Sequence, residues 1–149
     1  MTTQTTQPVS LKVSRLIKAP RERVYAAWTT PSDIMKWLGG GCCQFISAKM
    51  DVRVGGDYSF LVKSEKSGES EIRGTYRELN PPGRLAFTWN TGACDGDMEK
   101  AETVVTVDLL ERQGGTEVVI SHDLFTSEES RDRHQEGWTA SLVKLEKLS

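Results

Sequence analysis

The sequence has little of several features that would narrow its function at once. Its 149 residues include only three cysteines and two histidines, and the formal net charge is −2. No apolar run approaches the roughly 18 residues that a membrane span requires. Lysine and arginine are scattered among the acidic residues, so no basic field exists to attract phosphates. We therefore expect no membrane span and no nucleic-acid partner.

The N-terminus and the cysteines indicate a cytoplasmic protein. MTTQTTQP lacks the basic and apolar regions of a secretory signal, so residues 1–8 are predicted to be a disordered tail. Cys42 and Cys43 are adjacent and Cys94 is distant, which fits neither a disulfide framework nor a CxxC pair. We expect reduced thiols.

Residues 9–149 predict a single domain that opens with one strand and two short helices. Polar and apolar residues alternate in VSLKVS, which is typical of a half-buried strand. KAPRERVYAAW and TTPSDIMKWL each carry a proline where the first turn of a helix tolerates it. The GGG that follows at residues 39–41 precedes a strand rather than a helix, so it predicts a turn and not a phosphate loop.

Six consecutive antiparallel strands are predicted between Gln44 and His122. Short alternating runs are separated there by Gly55-Gly56, Pro81-Pro82-Gly83 and other turn residues. One parity of these strands is apolar or aromatic and should form one sheet face: Tyr58, Phe60, Val62, Leu85, Phe87, Trp89, Val105, Val107, Leu109, Val118 and Ile120. The other parity, which includes Thr88, predicts a solvated face. Tyr76 and Glu78 share a parity, but the pattern assigns neither to a face.

The last element is predicted to be the longest helix. Thr126 and Glu129 stand in capping-box relation at its start. His134, Trp138, Leu142 and Leu145 then form one stripe at helical spacing, which should pack on the aromatic sheet face. The order of elements predicts an α+β helix-grip fold, in which a curved antiparallel sheet of about seven strands surrounds the C-terminal helix and leaves room for a cavity.

Five motifs in register resemble a known family. They are IKAPRERVYAAWTTPSDIMKW, DVRVGGDYSF, GTYRELNPPGRLAFTW, VVTVDLLERQGGTEVVISH and RHQEGWTASLVKLEKL. Together they resemble the START-like (SRPBCC) superfamily, and within it the domain similar to the C-terminal domain of the heat-shock-protein-90 ATPase activator. The resemblance covers about residues 10 to 148.

The resemblance implies a helix-grip fold with a largely apolar internal pocket, and a chaperone-stimulating role in the larger eukaryotic relatives. Those relatives have a first domain that has no counterpart before Val9. Many relatives also carry paired tryptophans before the glycine turn, where this chain has Trp37-Leu38. The mouth of the pocket is therefore expected to be lined differently here.

The two histidines are the candidate polar groups of the interior. His122 is in phase with Ile120, and His134 heads the stripe of the long helix, so both should point inward. Each is interpreted as a structural histidine, a ligand contact or a general base, in decreasing order of preference. With Asp123 they would make a conceivable metal set, but no HxxxH or HExxH spacing supports one, so we expect no metal. DGDME at residues 95–99 lacks the spacing of a calcium loop.

Three functions remain open. The first is binding of a small hydrophobic or amphipathic ligand between sheet and helix, without a cofactor. The second is interaction with a heat-shock chaperone, by analogy with the activator family, as part of a stress response. The third is cyclase or hydrolase chemistry in the same cavity, although we assign no catalytic residue. A monomer or weak homodimer is expected. The predicted cavity residues are Trp28, Trp37, Tyr58, Phe60, Phe87, Trp89, His122, His134, Trp138 and Leu142.

Overall fold

A computed structural model describes residues 9–38, 43–64, 68–90, 102–125 and 128–148. The elements in chain order are β1 (Val9–Ile17), α1 (Arg21–Thr29), α2 (Pro31–Trp37), β2 (Cys43–Met50), β3 (Asp57–Ser64), β4 (Gly68–Asn80), β5 (Arg84–Asn90), β6 (Glu102–Arg112), β7 (Gly115–Phe125) and α3 (Glu128–Leu148). The predictions for residues 1–8, the GGG turn, Cys42, Cys94, DGDME and Thr126 concern residues outside these ranges.

The strands form one antiparallel sheet in the order β1-β7-β6-β5-β4-β3-β2. The inner residues of β3, β5, β6 and β7 that the alternation placed on one face are all buried. On α3, Trp138, Leu142 and Leu145 are buried as well, so the terminal helix covers this face. The predicted α+β helix-grip fold with seven strands and two short helices after the first strand is confirmed.

The short helices lie where their prolines predicted them. Pro31 is the first residue of α2, and α1 begins directly after Pro20, whose carbonyl accepts the N–H groups of Arg23 and Val24. Val24 and Trp28 are buried on one face of α1. Both helices therefore turn an apolar side towards the sheet, and α2 continues this side through Ile34 and Trp37.

Thr88 departs from its predicted place on a solvated face, because it is only 3% exposed. It lies just beyond the Tyr76–Phe87 pair, where the backbone pairing of β4 with β5 ends and a side-chain hydrogen bond joins the two strands. The hydroxyl of Thr88 accepts the Thr75 N–H at 2.8 Å, and its carbonyl accepts the Tyr58 hydroxyl. The prediction was wrong because alternation alone does not show where neighbouring strands enclose a small outward side chain.

A bulge in β4 explains why parity could not place Tyr76 and Glu78. Tyr76 pairs with Phe87 and Glu78 with Ala86, so the register shifts by one residue between them. An extra residue in one strand turns the following side chains to the opposite face. Tyr76 is therefore buried, whereas Glu78 lies within 3.5 Å of Arg84 in an exposed ion pair.

Candidate functional site

An aromatic cavity lies between the sheet and the helices. Its walls come from α1, from α2 and the residue after it, from α3, and from strands β3, β4 and β5: Trp28, Ile34, Leu38, Tyr58, Phe60, Tyr76, Phe87, Trp89 and Trp138. The cavity volume is only about 10 Å³, close to the minimum of about 10–15 Å³ that holds one water molecule. In this form the interior is nearly filled by its own side chains.

The aromatic rings of the wall form one connected cluster. Trp138 lies 5.9 Å from Trp28 and 5.3 Å from Trp89, measured between ring centroids. Phe87 meets Tyr58 edge-on at 5.6 Å. Tilted and edge-on contacts at such distances are the favoured arrangements of aromatic pairs. Trp138 is therefore the ring through which α3 joins the wall to both α1 and the sheet.

Two tryptophans that pack on each other differ in their hydrogen bonding. Trp37 meets Trp28 edge-on at 4.6 Å, and its indole N–H donates to the Ala27 carbonyl at 2.9 Å. That carbonyl lies in the last turn of α1, where helical partners run out. The Trp28 indole N–H is buried without a hydrogen-bond partner. A buried unpaired donor costs about 1–3 kcal/mol, so Trp28, which lines the cavity, carries an unsatisfied polar group in the interior.

Two phenols also belong to the wall, and both stay protonated. Burial, and then the proximity of Tyr76, raise the pKa of Tyr58 well above its usual value. Burial, and then the proximity of Tyr25, raise the pKa of Tyr76 as well. The Tyr58 hydroxyl donates to the Thr88 carbonyl. The wall therefore carries neutral polar atoms and no charge.

His122 lies beside the cavity at the centre of a hydrogen-bond chain. Its Nδ1 accepts the indole N–H of Trp138 at 3.0 Å, and its Nε2 lies 2.6 Å from the Thr103 hydroxyl. That hydroxyl donates its single proton to the Trp89 carbonyl at 2.6 Å. Nε2 must therefore carry the proton, and the chain of donors assigns a neutral Nε2–H imidazole.

This arrangement suits a structural histidine better than a base. His122 is 0% exposed, and the lone pair of its Nδ1 already accepts a hydrogen bond from the indole N–H of Trp138. Burial, and then His134 at 5.3 Å between ring centroids, hold the pKa of His122 well below its usual range. A proton acceptor needs a free lone pair within reach of substrate, and the Trp138 indole occupies this one.

Six of the ten predicted cavity residues line the cavity: Trp28, Tyr58, Phe60, Phe87, Trp89 and Trp138. Trp37 lies behind Trp28, and Leu142 is buried in the core along α3. His122 and His134 lie next to the lining residue Trp89, at 6.2 and 6.5 Å between ring centroids. Ile34, Leu38 and Tyr76 complete the wall. The helical spacing of Ile34, Trp37 and Leu38 in TTPSDIMKWL could have indicated the first two, whereas the uncertain phase of β4 left Tyr76 unassigned.

Metal sites and membrane-spanning helices are both absent from the described ranges. No group of three or more His, Cys, Asp or Glu side chains there is arranged to hold a metal ion. Among those same residues, no helix is both long and apolar enough to cross a bilayer.

The curved sheet, the terminal helix and the aromatic interior define a START-like helix-grip domain. The chain belongs to the family described as Activator of Hsp90 ATPase homolog 1-like protein, whose sequence model matches residues 18–149. The match covers all three helices and every strand but β1.

Solved structures share this fold over nearly the whole chain. Protein CV1439 from Chromobacterium violaceum is 27% identical, with a TM-score of 0.78 over 93% of this chain and 95% of that one. The AHSA1-like protein from Aeromonas hydrophila is 23% identical, with a TM-score of 0.74 over 93% and 90%. The AHSA1 protein from Silicibacter pomeroyi is also 23% identical, with a TM-score of 0.74 over 93% and 96%. No curated protein matches significantly.

Proposed function

We propose that this protein binds a small aromatic or otherwise apolar ligand that carries one hydrogen-bond acceptor, in the cavity between the sheet and the helices. The observation that carries the proposal is the unpaired indole N–H of Trp28. Buried polar groups in native proteins nearly always have a partner, so an exception in a cavity wall calls for one. A ligand carbonyl or ring nitrogen would supply it.

Binding requires the cavity to expand. Pockets for ligands of drug size hold roughly 300–1,000 Å³, whereas this cavity has about 10 Å³. Trp28, Leu38 and Trp138 belong to the helical side of the wall, which meets the sheet through packing and through side-chain contacts such as the Trp138–His122 hydrogen bond. An outward shift of this side would enlarge the cavity without breaking a hydrogen bond of the sheet ladder.

The test compares 1-indanone with indane, which has the same ring system without the carbonyl. One net hydrogen bond contributes about 0.5–1.5 kcal/mol, so 1-indanone is expected to bind about two- to tenfold more tightly. The measurement is a two-dimensional NMR titration that follows the four indole N–H signals. The Trp28 signal should move with 1-indanone and less with indane.

Trp28→Phe should abolish the preference for 1-indanone while retaining an aromatic wall. Trp37→Phe is the matched control, because Trp37 is equally buried but its N–H donates to Ala27 and not to the cavity. Equal affinity of the unmodified protein for both compounds, or a preference that survives Trp28→Phe, would refute the role of Trp28. Failure of both compounds to bind would count against the ligand function itself.

Interaction with a heat-shock chaperone is the second candidate, and two observations favour it. The family takes its description from an activator of the Hsp90 ATPase. The turn between β2 and β3 also exposes two apolar side chains, with Val52 38% and Val54 63% exposed. Exposed apolar groups that lie close together can form a contact with a partner protein.

An ATPase assay with the Hsp90 of the same organism tests this candidate. The protein should stimulate ATP hydrolysis, and the double variant Val52→Ser, Val54→Ser should lose the effect. Leu16→Ser is the control, since Leu16 is 41% exposed on β1 and belongs to another part of the chain. Absence of stimulation, or equal loss in the control, would remove the support.

Cyclase or hydrolase chemistry is not part of the proposal. His122, the buried imidazole next to the cavity, has both ring nitrogens engaged by Trp138 and Thr103.

A further inference from the structure

The hydrogen bond between Trp138 and His122 ties α3 to the sheet. Trp138 belongs to α3 and lines the cavity, whereas His122 belongs to β7. The indole N–H of Trp138 reaches Nδ1 of His122 at 3.0 Å, and both side chains are buried. The position of one cavity wall therefore depends on an imidazole that does not itself line the cavity.

The direction of the protons makes this link sensitive to the charge of His122. In the neutral Nε2–H form, Nδ1 accepts from Trp138 and Nε2 donates to Thr103. Protonation places a second hydrogen on Nδ1, where it faces the indole N–H of Trp138. Both groups are then donors, so the hydrogen bond is lost and the two rings must separate.

The strand partners of His122 among the described residues are apolar. The paired residues are Leu11 on β1 and Val105 on β6, and the ring of Trp89 lies on β5 at 6.2 Å. His134 on α3 is the titratable side chain in ring contact with His122 within the described ranges. Asp123 and Glu102, which flank His122 and Thr103 along the chain, are exposed.

We propose that His122 is a positioning residue: its neutral imidazole holds Trp138 in the cavity wall, and its protonation releases Trp138 and opens the cavity. The consequence for ligand binding rests on the function proposed above. The movement of Trp138 does not, and it is measured without any ligand.

The first experiment is an NMR titration of the free protein from pH 7.5 downwards. It follows the ring signal of His122 and the indole N–H signals of Trp138 and Trp37. The His122 and Trp138 signals should change with one midpoint, while Trp37 keeps its hydrogen bond to Ala27 and its signal. A Trp138 signal that stays in place while His122 titrates would overturn the proposal, as would simultaneous loss of the Trp37 signal, which reports global unfolding.

Two asparagine variants separate the histidines. His122→Asn removes the titrating group and leaves an amide oxygen to accept the Trp138 N–H, so Trp138 should become insensitive to pH. His134→Asn makes the same substitution at the histidine whose ring contacts His122. It should retain the transition and move it to higher pH, because His134 contributes to the lowered pKa of His122. A transition that survives in His122→Asn contradicts the proposal.

Trp138→Phe tests the same link from the other side, and it does not depend on His122→Asn folding. Removing the indole N–H frees Nδ1 for a proton, so the pKa of His122 should rise. An unchanged pKa of His122 in this folded variant would show that Trp138 does not oppose protonation, and the proposal would fail.

The ligand experiment measures the affinity for 1-indanone against pH. If the open form binds it, affinity should increase as pH falls through the His122 transition, by at most about tenfold per pH unit for linkage to one proton. The increase should be absent in His122→Asn. Binding that is independent of pH across the transition would overturn the inference but leave the proposed function intact. Coupled movement of His122 and Trp138 without binding at any pH would support the inference and refute that function.

Discussion

At the scale of the residue, Trp28 and Trp37 differ in one hydrogen bond. Trp37 uses its indole N–H to stabilise the fold, whereas Trp28 lines the cavity with its N–H unpaired. The rings are in edge-on contact and both are buried. The Trp37 N–H supplies a partner for a carbonyl at the end of α1, whereas the Trp28 N–H has none. The two side chains therefore contribute differently to stability although their burial is alike.

We expect Trp37→Phe to destabilise the protein more than Trp28→Phe does. Both changes remove similar apolar volume from the core. Trp37→Phe also leaves the Ala27 carbonyl without its partner, while Trp28→Phe removes an unpaired donor. The difference should be about 1–3 kcal/mol in the free energy of unfolding, measured by urea denaturation. Equal losses, or a larger loss for Trp28→Phe, would contradict the assignment of the two indoles.

The sequence could predict that these residues face inward, because helical and strand periodicity depend only on local geometry. It could not predict which N–H is paired, because the partner of Trp37 lies on another helix. The same limit applies to His122. Its inward direction followed from the parity of β7, whereas its neutral tautomer follows from Trp138, Thr103 and Trp89, which three other elements supply.

At the scale of the element, β4 is the strand on which the shape of the sheet depends. Gly74 lies opposite Tyr58 on β3, and an added Cβ would overlap the Thr88 carbonyl oxygen. The missing side chain leaves a path for the Tyr58 hydroxyl to reach that oxygen. Two residues further on, after Tyr76, the bulge shifts the register. β4 thus pairs with β3 along one edge and with β5 along the other, and the bulge bends the strand between these two pairings.

Gly74→Ala is expected to destabilise the protein by about 1–3 kcal/mol or more, because the new methyl group would overlap the Thr88 carbonyl oxygen and the buried ring of Tyr58. Gly114→Ala is the comparison: its φ is +89° and nothing lies within 4 Å of the added Cβ, so its cost is backbone strain alone. That strain is about 1–2 kcal/mol. Thermal unfolding of both variants gives the answer, and a milder effect for Gly74→Ala would show that β4 can shift.

The strands themselves were predictable because turn residues separate them and alternation marks their inner faces. The bulge was not predictable, since one extra residue leaves no mark in composition. The phase of the alternation was uncertain near this end of β4, so Tyr76, a wall residue of the cavity, was left without a face. The prediction that Thr88 faces solvent was wrong for a related reason, because Thr88 is buried by contacts where β4 joins β5.

At the scale of the whole molecule, the order of elements was enough to predict the fold. A strand, two short helices, six hairpin-connected strands and one amphipathic helix can bury their apolar faces together when the sheet curves around the last helix. The near-closure of the interior was not predictable, because a few ångströms in the position of α3 decide between a cavity and a filled core. The domain limits, with a tail over residues 1–8, stay a prediction that deletion of the tail would test.

The free energy of unfolding should fall as pH drops below about 6.5. An unfolded chain takes up a proton at His122 near pH 6.5, whereas burial and His134 hold the pKa of His122 well below this in the folded protein. Between the two pKa values the unfolded state binds more protons, so this contribution to stability is complete above pH 6.5 and is lost progressively below it.

Urea denaturation at a series of pH values between 7.5 and 5 measures this dependence. His122→Asn should have a flatter profile than the unmodified protein, and His134→Asn should retain much of the slope. An unchanged slope in His122→Asn would assign the acid sensitivity to other groups.

The four tryptophans of the chain form a continuous series of ring contacts, with centroid separations of 4.6 Å for Trp37–Trp28, 5.9 Å for Trp28–Trp138 and 5.3 Å for Trp138–Trp89. Over such distances excitation energy passes between indoles before it is emitted. The intrinsic fluorescence of the protein therefore comes from one coupled set of chromophores, three of which line the cavity. A molecule that quenches any one of them should lower the fluorescence intensity of all four. Tryptophan fluorescence should therefore report directly on molecules that enter the cavity.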